Sequence, residues 1–381
     1  MSVYLDNNGT TPLKEEVKEV IRQSLDVFGN PSSAHAEGQK ARLALDHARR
    51  QVAQAVNVRS EQVVFTGSGT ESNVMALRGF LNVCPHKRLI TSPTEHSSVY
   101  NTAEVLKDEG FDVVYLPVDE DGVICLEALD KELSSKPTSL VSIMAANNET
   151  GVKQPIQKVA EICKKHGVKL HIDAVQLLAK EVIDFPTMGA DSIAISFHKI
   201  GGPKGCAALI LKNEVQMTSL ITGGGQERKR RSGTENMLGI IASGEACAQV
   251  QKSIEDMPRL NSLREKMEQG ILNITPDAVI VGQNAPRMDV TTCVMVPNTS
   301  AEMVLLSMDM AGVCISQGSA CSSGRSVPSR VLTAQGFSEE MALAGLRISM
   351  AWHNTAEDVE KFLTAYDQTM SRMKIKKEKV S

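Results

Sequence analysis

The sequence predicts an α/β protein in which a mainly parallel sheet forms the centre of a large domain and a smaller α+β domain follows. Short apolar runs alternate with helical segments between residues 62 and 211, a pattern typical of parallel strands joined by crossover helices. The chain has 381 residues, more than one hydrophobic core usually supports. Beyond residue 258 the alternation gives way to short strands that bracket a helix.

The strands of the large domain are predicted from runs of apolar and β-branched residues, and helices from apolar residues that recur on one face. The predicted strands are Gln62–Phe65, Arg88–Thr91, Val113–Pro117, Leu140–Ala145, Val168–Ile172, Ser192–Ser196 and Ala207–Leu211. The predicted helices are Leu13–Leu25, Ala41–Val56 (capped by Ser32 or Ser33), Glu71–Leu81, His96–Leu106, Leu126–Leu133 and Ile156–Lys165.

A long helical region over about residues 236–272 leads into the smaller domain. There the pattern predicts strands at Ala278–Val281 and Thr291–Val296, and a helix at Glu302–Met310. The last helix begins at Thr355 with Thr-x-x-Asp, a capping signal. We therefore expect residues 1–14 to pack with the small domain, residues 15–257 to form the large domain, and residues 258–381 to form the small one.

The composition disfavours several classes of protein. The net charge of −4 gives no electrostatic reason to expect direct binding of nucleic acid. No apolar run approaches the length of a membrane span, and the N-terminal residues lack the basic and apolar pattern of a secretory signal. The eight cysteines are scattered without a C-x-x-C pair, which disfavours a compact zinc site and a disulfide framework. We expect a cytoplasmic protein with no resident metal.

Lys199 follows the apolar run Ile193–Ile195 and precedes a turn at 200–203 that continues neither a strand nor a helix. Burial lowers the pKa of a lysine and makes its amine usable at neutral pH, where it can form a Schiff base with a carbonyl cofactor. The alternative from this stretch alone is a solvated turn residue.

Three further polar clusters follow predicted strands, at the sheet edge where such folds bind ligands. The run 67–70, Gly-Ser-Gly-Thr, is either a phosphate cradle at a helix N-terminus or a structural turn. Asp173, with Gln176 close behind it, is either the partner of a protonated ring nitrogen or a helix N-cap. His96 is either a group that stacks on a flat ring or moves a proton, or a hydrogen-bonded residue of a helix start.

Cys321 lies within a run of small residues, 316–326, that has no apolar periodicity and predicts an exposed loop. A thiol in such a loop is not packed as a core residue, and exposed thiols are often reactive. A strand-end lysine, a strand-end aspartate, a phosphate cradle and a stacking histidine together suit pyridoxal 5'-phosphate (PLP). Its aldehyde, ring nitrogen, phosphate and ring face require those four groups.

With these clusters the chain resembles the cysteine desulfurases of the NifS/IscS type, which have the PLP-dependent transferase fold type I. The resemblance extends from residue 4 to about residue 359. It is carried in order by GNPSSAH, GSGTESN, TEHSS, AANNETG, HIDAVQ, SFHKIGGPKG, GGGQERKRRSGTEN, GSACSSG and LRIS. The departures from the usual pattern are Gly9 in NNGTTP, Phe197 before His198, and Gly202.

The resemblance implies a role for each matching residue. Lys199 would be the Schiff-base lysine and general base, Cys321 the nucleophile and Arg347 the ligand of the substrate carboxylate. The residues that it places around the cofactor are Asp173 at the ring nitrogen, Gln176 at the ring hydroxyl, His96 on the ring face, Asn148 beside cofactor and substrate, Gly69, Thr70, Ser196 and His198 at the phosphate, and Thr234 at the phosphate of a partner subunit.

The implied reaction is removal of sulfur from L-cysteine, with release of L-alanine and a persulfide on Cys321. The implied partners are a second copy of the chain in a homodimer and a sulfur acceptor, such as an iron–sulfur scaffold protein or a thiolation relay. The sequence leaves the acceptor open, and it also leaves open whether Cys321 binds a transient iron–sulfur cluster with a scaffold. The alternatives are a selenocysteine lyase and a PLP-binding scaffold of low intrinsic activity.

Overall fold

The computed structural model describes residues 2–213, 215–318 and 327–378, with side chains up to residue 373. Its strands are β1 (Val3–Tyr4), β2 (Val63–Thr66), β3 (Arg88–Thr91), β4 (Asp112–Tyr115), β5 (Leu140–Met144), β6 (Lys169–Asp173), β7 (Ser192–Ser196), β8 (Ala207–Leu211), β9 (Val279–Ile280), β10 (Thr291–Met295), β11 (Val313–Cys314), β12 (Ser316–Gln317) and β13 (Gly345–Ser349).

The helices lie mainly between these strands. They are α1 (Glu15–Gln23), α2 (Ala36–Ala55), α3 (Gly69–Val83), α4 (Ser97–Asp108), α5 (Leu126–Ser135), α6 (Ile156–His166), α7 (Phe185–Met188), α8 (Met237–Ala248), α9 (Val250–Glu255), α10 (Met257–Ile274), α11 (Ala301–Met310), α12 (Arg330–Ala334), α13 (Glu339–Leu343) and α14 (Ala356–Glu378). No helix within the described ranges combines the length and apolarity that crossing a membrane requires.

The large sheet has the strand order β2-β8-β7-β6-β5-β3-β4. Neighbouring strands are parallel from β7 through β4, whereas β8 is antiparallel to both β2 and β7. Strands β5, β7 and β8 are buried along their whole length because helices cover both faces of the sheet. The predicted α/β class with a mainly parallel sheet is confirmed, and each strand of this sheet lies within two residues of its predicted bounds.

A second sheet has the order β12-β13-β10-β9, with all pairs antiparallel. The short β1 pairs in parallel with β11, and Val3 and Leu5 belong to the same apolar core as residues of α10 and α14. The N-terminal residues therefore pack on the C-terminal part of the chain. The predicted domain limits at residues 14 and 257 stay predictions.

The predicted helical region 236–272 is confirmed, and it consists of three helices, α8, α9 and α10. The break before α10 coincides with Pro258 in its first turn, where a missing N–H is tolerated only at a helix start. Helix α2 begins at Ala36 rather than Ala41, and its cap is the ring Nδ1 of His35, which accepts a hydrogen bond from the Gly38 N–H, rather than a serine.

Candidate active site

A cleft of about 420 Å³ lies at the carboxyl ends of the parallel strands. Strands β2, β3, β5, β6 and β7 share this edge, so the polar residues that follow each strand are brought together there. Its lining includes these predicted site residues: Gly69, Thr70, His96, Asn148, Asp173, Gln176, Ser196, His198, Lys199 and Arg347. Of the predicted residues that the structure describes, Thr234 is not among the lining residues.

Lys199 is carried into the cleft by a 3₁₀ turn, Phe197–Lys199, that directly follows β7. The fully buried Phe197 anchors this turn. Behind the lysine the chain passes Gly201 at φ +85°, where an added Cβ would lie 2.6 Å from a Lys14 side-chain carbon. Lys199 is half-buried, and its Nζ donates hydrogen bonds to the backbone carbonyls of Asn8 (2.5 Å) and Gly9 (2.7 Å).

Asp173 is the last residue of β6 and is buried. Its Oδ1 accepts a hydrogen bond from the Val175 N–H (3.0 Å), and its Oδ2 accepts one from Asn73 Nδ2 (2.7 Å). The carboxylate only accepts hydrogen bonds, so it requires the Asn73 amide nitrogen to face it. The Asn73 oxygen then faces His171 Nε2 at 3.0 Å, and His171 Nδ1 meets Ser192 Oγ at 2.8 Å.

His171 is fully buried within this chain of hydrogen bonds. Burial lowers its pKa to about 3, so the ring is neutral at pH 7 and donates to Asn73 without adding charge near Asp173. The neutral imidazole therefore leaves the Asp173 carboxylate without an ion pair in this chain of hydrogen bonds. That is the property that a protonated ring nitrogen requires.

His96 caps the N-terminus of α4, and its Nδ1 accepts a hydrogen bond from the Ser98 N–H at 3.1 Å. The proton of the neutral ring therefore lies on Nε2. Burial, reinforced by the positive charge of Lys199, lowers the pKa of His96 below its ordinary value, while Asp173 opposes the shift. His96 is thus a helix-capping residue and also lines the cleft, and its role toward a ring stays a prediction.

The N-terminus of α3 forms another part of the cleft. Ser68 caps this helix by accepting a hydrogen bond from the Glu71 N–H, and helix geometry leaves the amides of Gly69 and Thr70 without intrahelical partners. A Cβ on Gly69 would lie 3.0 Å from Val175 Cγ2 and 3.5 Å from Ser196 Cβ, so the glycine keeps this corner open. Such a corner suits an anion.

Gln176 is buried, and both ends of its amide are engaged. Its Nε2 donates to the Asn8 carbonyl at 3.2 Å, and its Oε1 accepts from Lys180 Nζ at 2.7 Å. Lys180 also donates to Asn8 Oδ1 at 3.1 Å. The N-terminal residue Asn8 therefore contacts both Gln176 and the two lysines, although the sequence predicts no more than a loop there.

Arg347 lies in the middle of β13 and is almost completely buried. Its Nη2 donates to Asp6 Oδ1 at 2.6 Å, and its Nη1 donates to the Asn148 carbonyl at 3.2 Å. Its Nε has no partner among the described residues. The guanidinium lines the cleft, and each Nη atom has a second N–H beyond these contacts, so donors remain for a carboxylate.

Asn148 is placed by its neighbour Asn147, which is buried at the turn after β5. The Asn147 side chain accepts hydrogen bonds from the N–H groups of Glu149 (2.8 Å) and Thr150 (3.0 Å) and donates to the Thr94 carbonyl (2.9 Å). These contacts hold the turn, and with it Asn148, at the rim of the cleft.

The residues present fit PLP. A buried carboxylate, a helix N-terminus with Thr70 beside Ser196, and an amine line the same cleft, and these groups match the ring nitrogen, phosphate and aldehyde of that cofactor. The vacant corner at Gly69 supplies the room for the phosphate. The volume is within the range of small-molecule sites.

Two predicted residues remain, and the structure describes one of them. Thr234 is exposed and outside the cleft of its own chain. The preceding Arg231 is held to the first turn of α3 by its ion pair with Glu71 (2.8 Å), whose other oxygen accepts from the Gly67 N–H. Cys321 lies outside the described residues.

Sequence reasoning missed several residues of the site. Asp6, Asn8, Asn73, Ser98 and Lys180 all line the cleft or contact a predicted residue in it. Asn73 is part of the GSGTESN motif, Asp6 precedes NNGTTP and Asn8 lies within it, so the motif letters were the available signal.

Comparison with known proteins agrees with this geometry. The model of the aminotransferase class-V family matches residues 3–362. The chain belongs to that family. A cysteine desulfurase IscS of Methanosarcina thermophila is 38% identical over 377 residues, which cover 98% of this chain and 93% of the relative. The predicted resemblance to the NifS/IscS type is confirmed.

Solved structures of this class-V family give the same result. A NifS-like protein from Rickettsia africae superposes with a TM-score of 0.89 at 37% identity, covering 97% of this chain and 100% of the other. SspA, solved in complex with cysteine, superposes with a TM-score of 0.80 at 31% identity, covering 93% of this chain and all of the other. The fold is therefore PLP-dependent transferase fold type I.

Proposed function

We propose that this chain is a PLP-dependent cysteine desulfurase that releases L-alanine from L-cysteine and keeps the sulfur as a persulfide on Cys321. One observation carries the proposal: Lys199, Asp173 and Arg347 line a single cleft in a chain of the NifS/IscS type. An amine, a ring partner and a carboxylate ligand are the groups that an amino-acid reaction with PLP requires.

When bound, PLP supplies an aldehyde that links to amines and a ring that withdraws electrons from the Cα of the linked amino acid. In this chain Asp173 would hold the ring nitrogen, Gln176 the ring oxygen and His96 the ring face. Ser196, His198 and the amides at the start of α3 would hold the phosphate. The His198 ring is kept neutral, because burial lowers its pKa to about 4, so it acts there as a hydrogen-bonding group.

Lys199 would supply the amine that holds the aldehyde. When the substrate replaces the lysine at that position, the freed Nζ of Lys199 would be the general base that removes the Cα proton of the substrate. Its two carbonyl partners, on Asn8 and Gly9, accept hydrogen bonds but carry no charge. They orient the amine and cannot take its proton.

Arg347 would bind the substrate carboxylate through its remaining N–H donors, while Asp6 and the Asn148 carbonyl hold the guanidinium in place.

Cys321 would complete the reaction. Its thiolate attacks the sulfur of the substrate, so an S–S bond forms as the C–S bond breaks. The electron pair of the broken bond stays with the substrate carbon, which takes up a proton and leaves as alanine. The enzyme keeps one additional sulfur atom on Cys321.

We further propose a cytoplasmic homodimer in which Thr234 reaches the phosphate site of the partner subunit, and transfer of the sulfur to an acceptor for iron–sulfur cluster assembly or thiolation. The exposed position of Thr234, close to the ion pair between Arg231 and Glu71, supports the shared site. The names of the IscS relatives support the acceptor class.

The test is to incubate the purified PLP-loaded protein with L-cysteine and to measure alanine, with Lys199→Ala and Cys321→Ser as matched variants. The proposal predicts alanine from the parent protein and none from Lys199→Ala. Cys321→Ser should keep the cofactor absorbance and lose alanine formation. Equal alanine formation by Cys321→Ser and parent would overturn the assignment of the nucleophile. Turnover of L-selenocysteine but not L-cysteine would favour the lyase, and absorbance without either product would favour the scaffold.

A further inference from the structure

Lys180 is a second lysine beside the cleft that the proposed reaction leaves unassigned. Its Nζ donates to Gln176 Oε1 at 2.7 Å and to Asn8 Oδ1 at 3.1 Å. Both acceptors are neutral amides. Among the described residues, the structure pairs Lys180 with no carboxylate. An ammonium group placed against amides alone carries a charge that nothing in contact with it neutralises.

The surroundings of Lys180 disfavour its charged form. Burial lowers its pKa to about 7, and the positive charges of Lys199 and Arg347 act in the same direction. The charged side chains that act on Lys180 are Lys199 after β7 and Arg347 on β13. Arg347 is itself bound by Asp6, and the adjacent Glu181 is bound by Lys153.

Lys180 determines which way the Gln176 amide points. An ammonium group only donates hydrogen bonds, so the oxygen of the amide must face Lys180. The Gln176 nitrogen then faces the Asn8 carbonyl, and its second N–H remains for an acceptor in the cleft. Without Lys180 the amide could reverse and present its oxygen to the cleft instead.

Lys180 is also linked to Lys199 through Asn8. The Asn8 carbonyl accepts hydrogen bonds from Lys199 and Gln176, and the Asn8 side chain accepts one from Lys180. One residue of the N-terminal segment thus holds both lysines on the same side of the cleft. A charge on Lys180 therefore acts on the reactive amine at short range.

We propose that Lys180 is a positioning residue that fixes the Gln176 amide with its N–H toward the cleft and, in its protonated form, places a second positive charge near the reactive amine of Lys199. This inference rests on the proposed PLP chemistry. It assigns Lys180 the tasks of favouring a negatively charged ring oxygen beside Gln176 and of weakening proton binding at Lys199.

The test compares Lys180→Met, Lys180→Arg and the parent, with Lys153→Met as the control, because Lys153 is a lysine of similar exposure whose partner is Glu181. Each protein is loaded with PLP, and the visible absorbance is titrated against pH. Removing the Lys180 charge should move the midpoint upward by about one pH unit, the effect of one nearby charge. Lys180→Arg should return most of the shift, and Lys153→Met should not move it.

Two further measurements do not depend on turnover. The rate of PLP loss on dilution should rise about tenfold in Lys180→Met. A reversed Gln176 amide would place its carbonyl oxygen against the ring oxygen of PLP, and the hydrogen bond between Gln176 and the cofactor would be lost. In the apo-protein, acetic anhydride labelling of the Lys199 peptide, followed by mass spectrometry, should have its pH midpoint raised in the same variant. If Lys180→Met does not fold, Lys180→Gln replaces it in all three measurements.

The inference is overturned if the parent shows the cofactor absorbance while Lys180→Met has the same midpoint of the absorbance titration and the same rate of PLP loss as the parent. Reduced activity with unchanged midpoints would indicate a merely structural role and would also overturn it. The proposed function fails in a different way, since the parent protein would then bind no PLP or form no alanine.

Discussion

Replacement of Asn73 by alanine tests the buried network behind the cleft. Asn73 Nδ2 donates to Asp173 Oδ2 at 2.7 Å and to Ser98 Oγ at 2.8 Å, and its Oδ1 lies 3.0 Å from His171 Nε2. The side chain is 1% exposed, so in the folded protein water does not readily replace these contacts. The substitution leaves a buried carboxylate, a hydroxyl and an imidazole each short of one partner.

The magnitude follows from the types of bond lost. The bond to the carboxylate is charge-assisted and contributes about 1.5–3 kcal/mol, and each buried group left without a partner costs about 1–3 kcal/mol. Neighbouring losses do not add fully, so we expect a total decrease of about 3–5 kcal/mol in the free energy of unfolding of the apo-protein. The dissociation constant for PLP should rise at least tenfold, because about 1.4 kcal/mol of lost anchoring at Asp173 corresponds to that factor.

The assay is urea unfolding of the apo-proteins together with equilibrium titration of PLP by its visible absorbance. Ser72→Ala is the matched control. Ser72 is the neighbouring residue of α3, is equally buried, and loses a single neutral bond to Thr66 Oγ1 (2.8 Å) away from the cleft. It should lose about 1 kcal/mol and keep its affinity for PLP. If Asn73→Ala matched Ser72→Ala in both quantities, the network would have no part in holding Asp173.

Three further predictions concern other parts of the structure. Gly9→Ala should raise the KM for L-cysteine about tenfold with little change in cofactor absorbance. The new Cβ would lie 2.7 Å from Asp6 Oδ2 and would displace the carboxylate that orients Arg347, the proposed ligand of the substrate. An unchanged KM would contradict this. Burial lowers the pKa of His171 to about 3, so below about pH 6.5 the unfolded chain binds a proton that the folded protein does not. The free energy of unfolding should therefore fall by up to about 1.4 kcal/mol per pH unit between about pH 6.5 and 4. Urea unfolding of His171→Gln should show a shallower dependence of this free energy on pH. Arg49→Met should lower the free energy of unfolding by about 3–5 kcal/mol, because it leaves the buried Glu227 carboxylate without its bidentate partner. The double variant with Glu227→Leu should recover part of that loss in the same urea assay.

The fold was largely predictable because local pattern and global topology agree. Strands such as Ser192–Ser196 are short apolar runs between helices, and the structure buries them on both faces of the sheet. The placement of Asp173, His96 and Lys199 followed from the same reasoning, since a polar residue after a parallel strand lies at the ligand-binding edge.

The rest depends on contacts between residues far apart in the chain. Asn8 reaches Thr291 and Gln176, and Asp6 reaches Arg347, although the N-terminal stretch has only the composition of a loop. Pairing across more than 140 residues leaves no periodic signal in the sequence.

Two elements show the same limit locally. Strand β13 has an arginine, Arg347, at the centre of its short apolar run, and it is specified by its pairing with β10 and β12. The break between α9 and α10 occurs within a continuous helical pattern, and only Pro258 indicates it.

The most direct test of the central claim is mass spectrometry of the peptide that contains Cys321 after the PLP-loaded protein has reacted with L-cysteine, with alanine measured in the same sample. The account predicts a gain of one sulfur atom on that peptide, one alanine formed per persulfide in the first turnover, and neither product from Lys199→Ala. Alanine in full yield with an unmodified Cys321 peptide would contradict it.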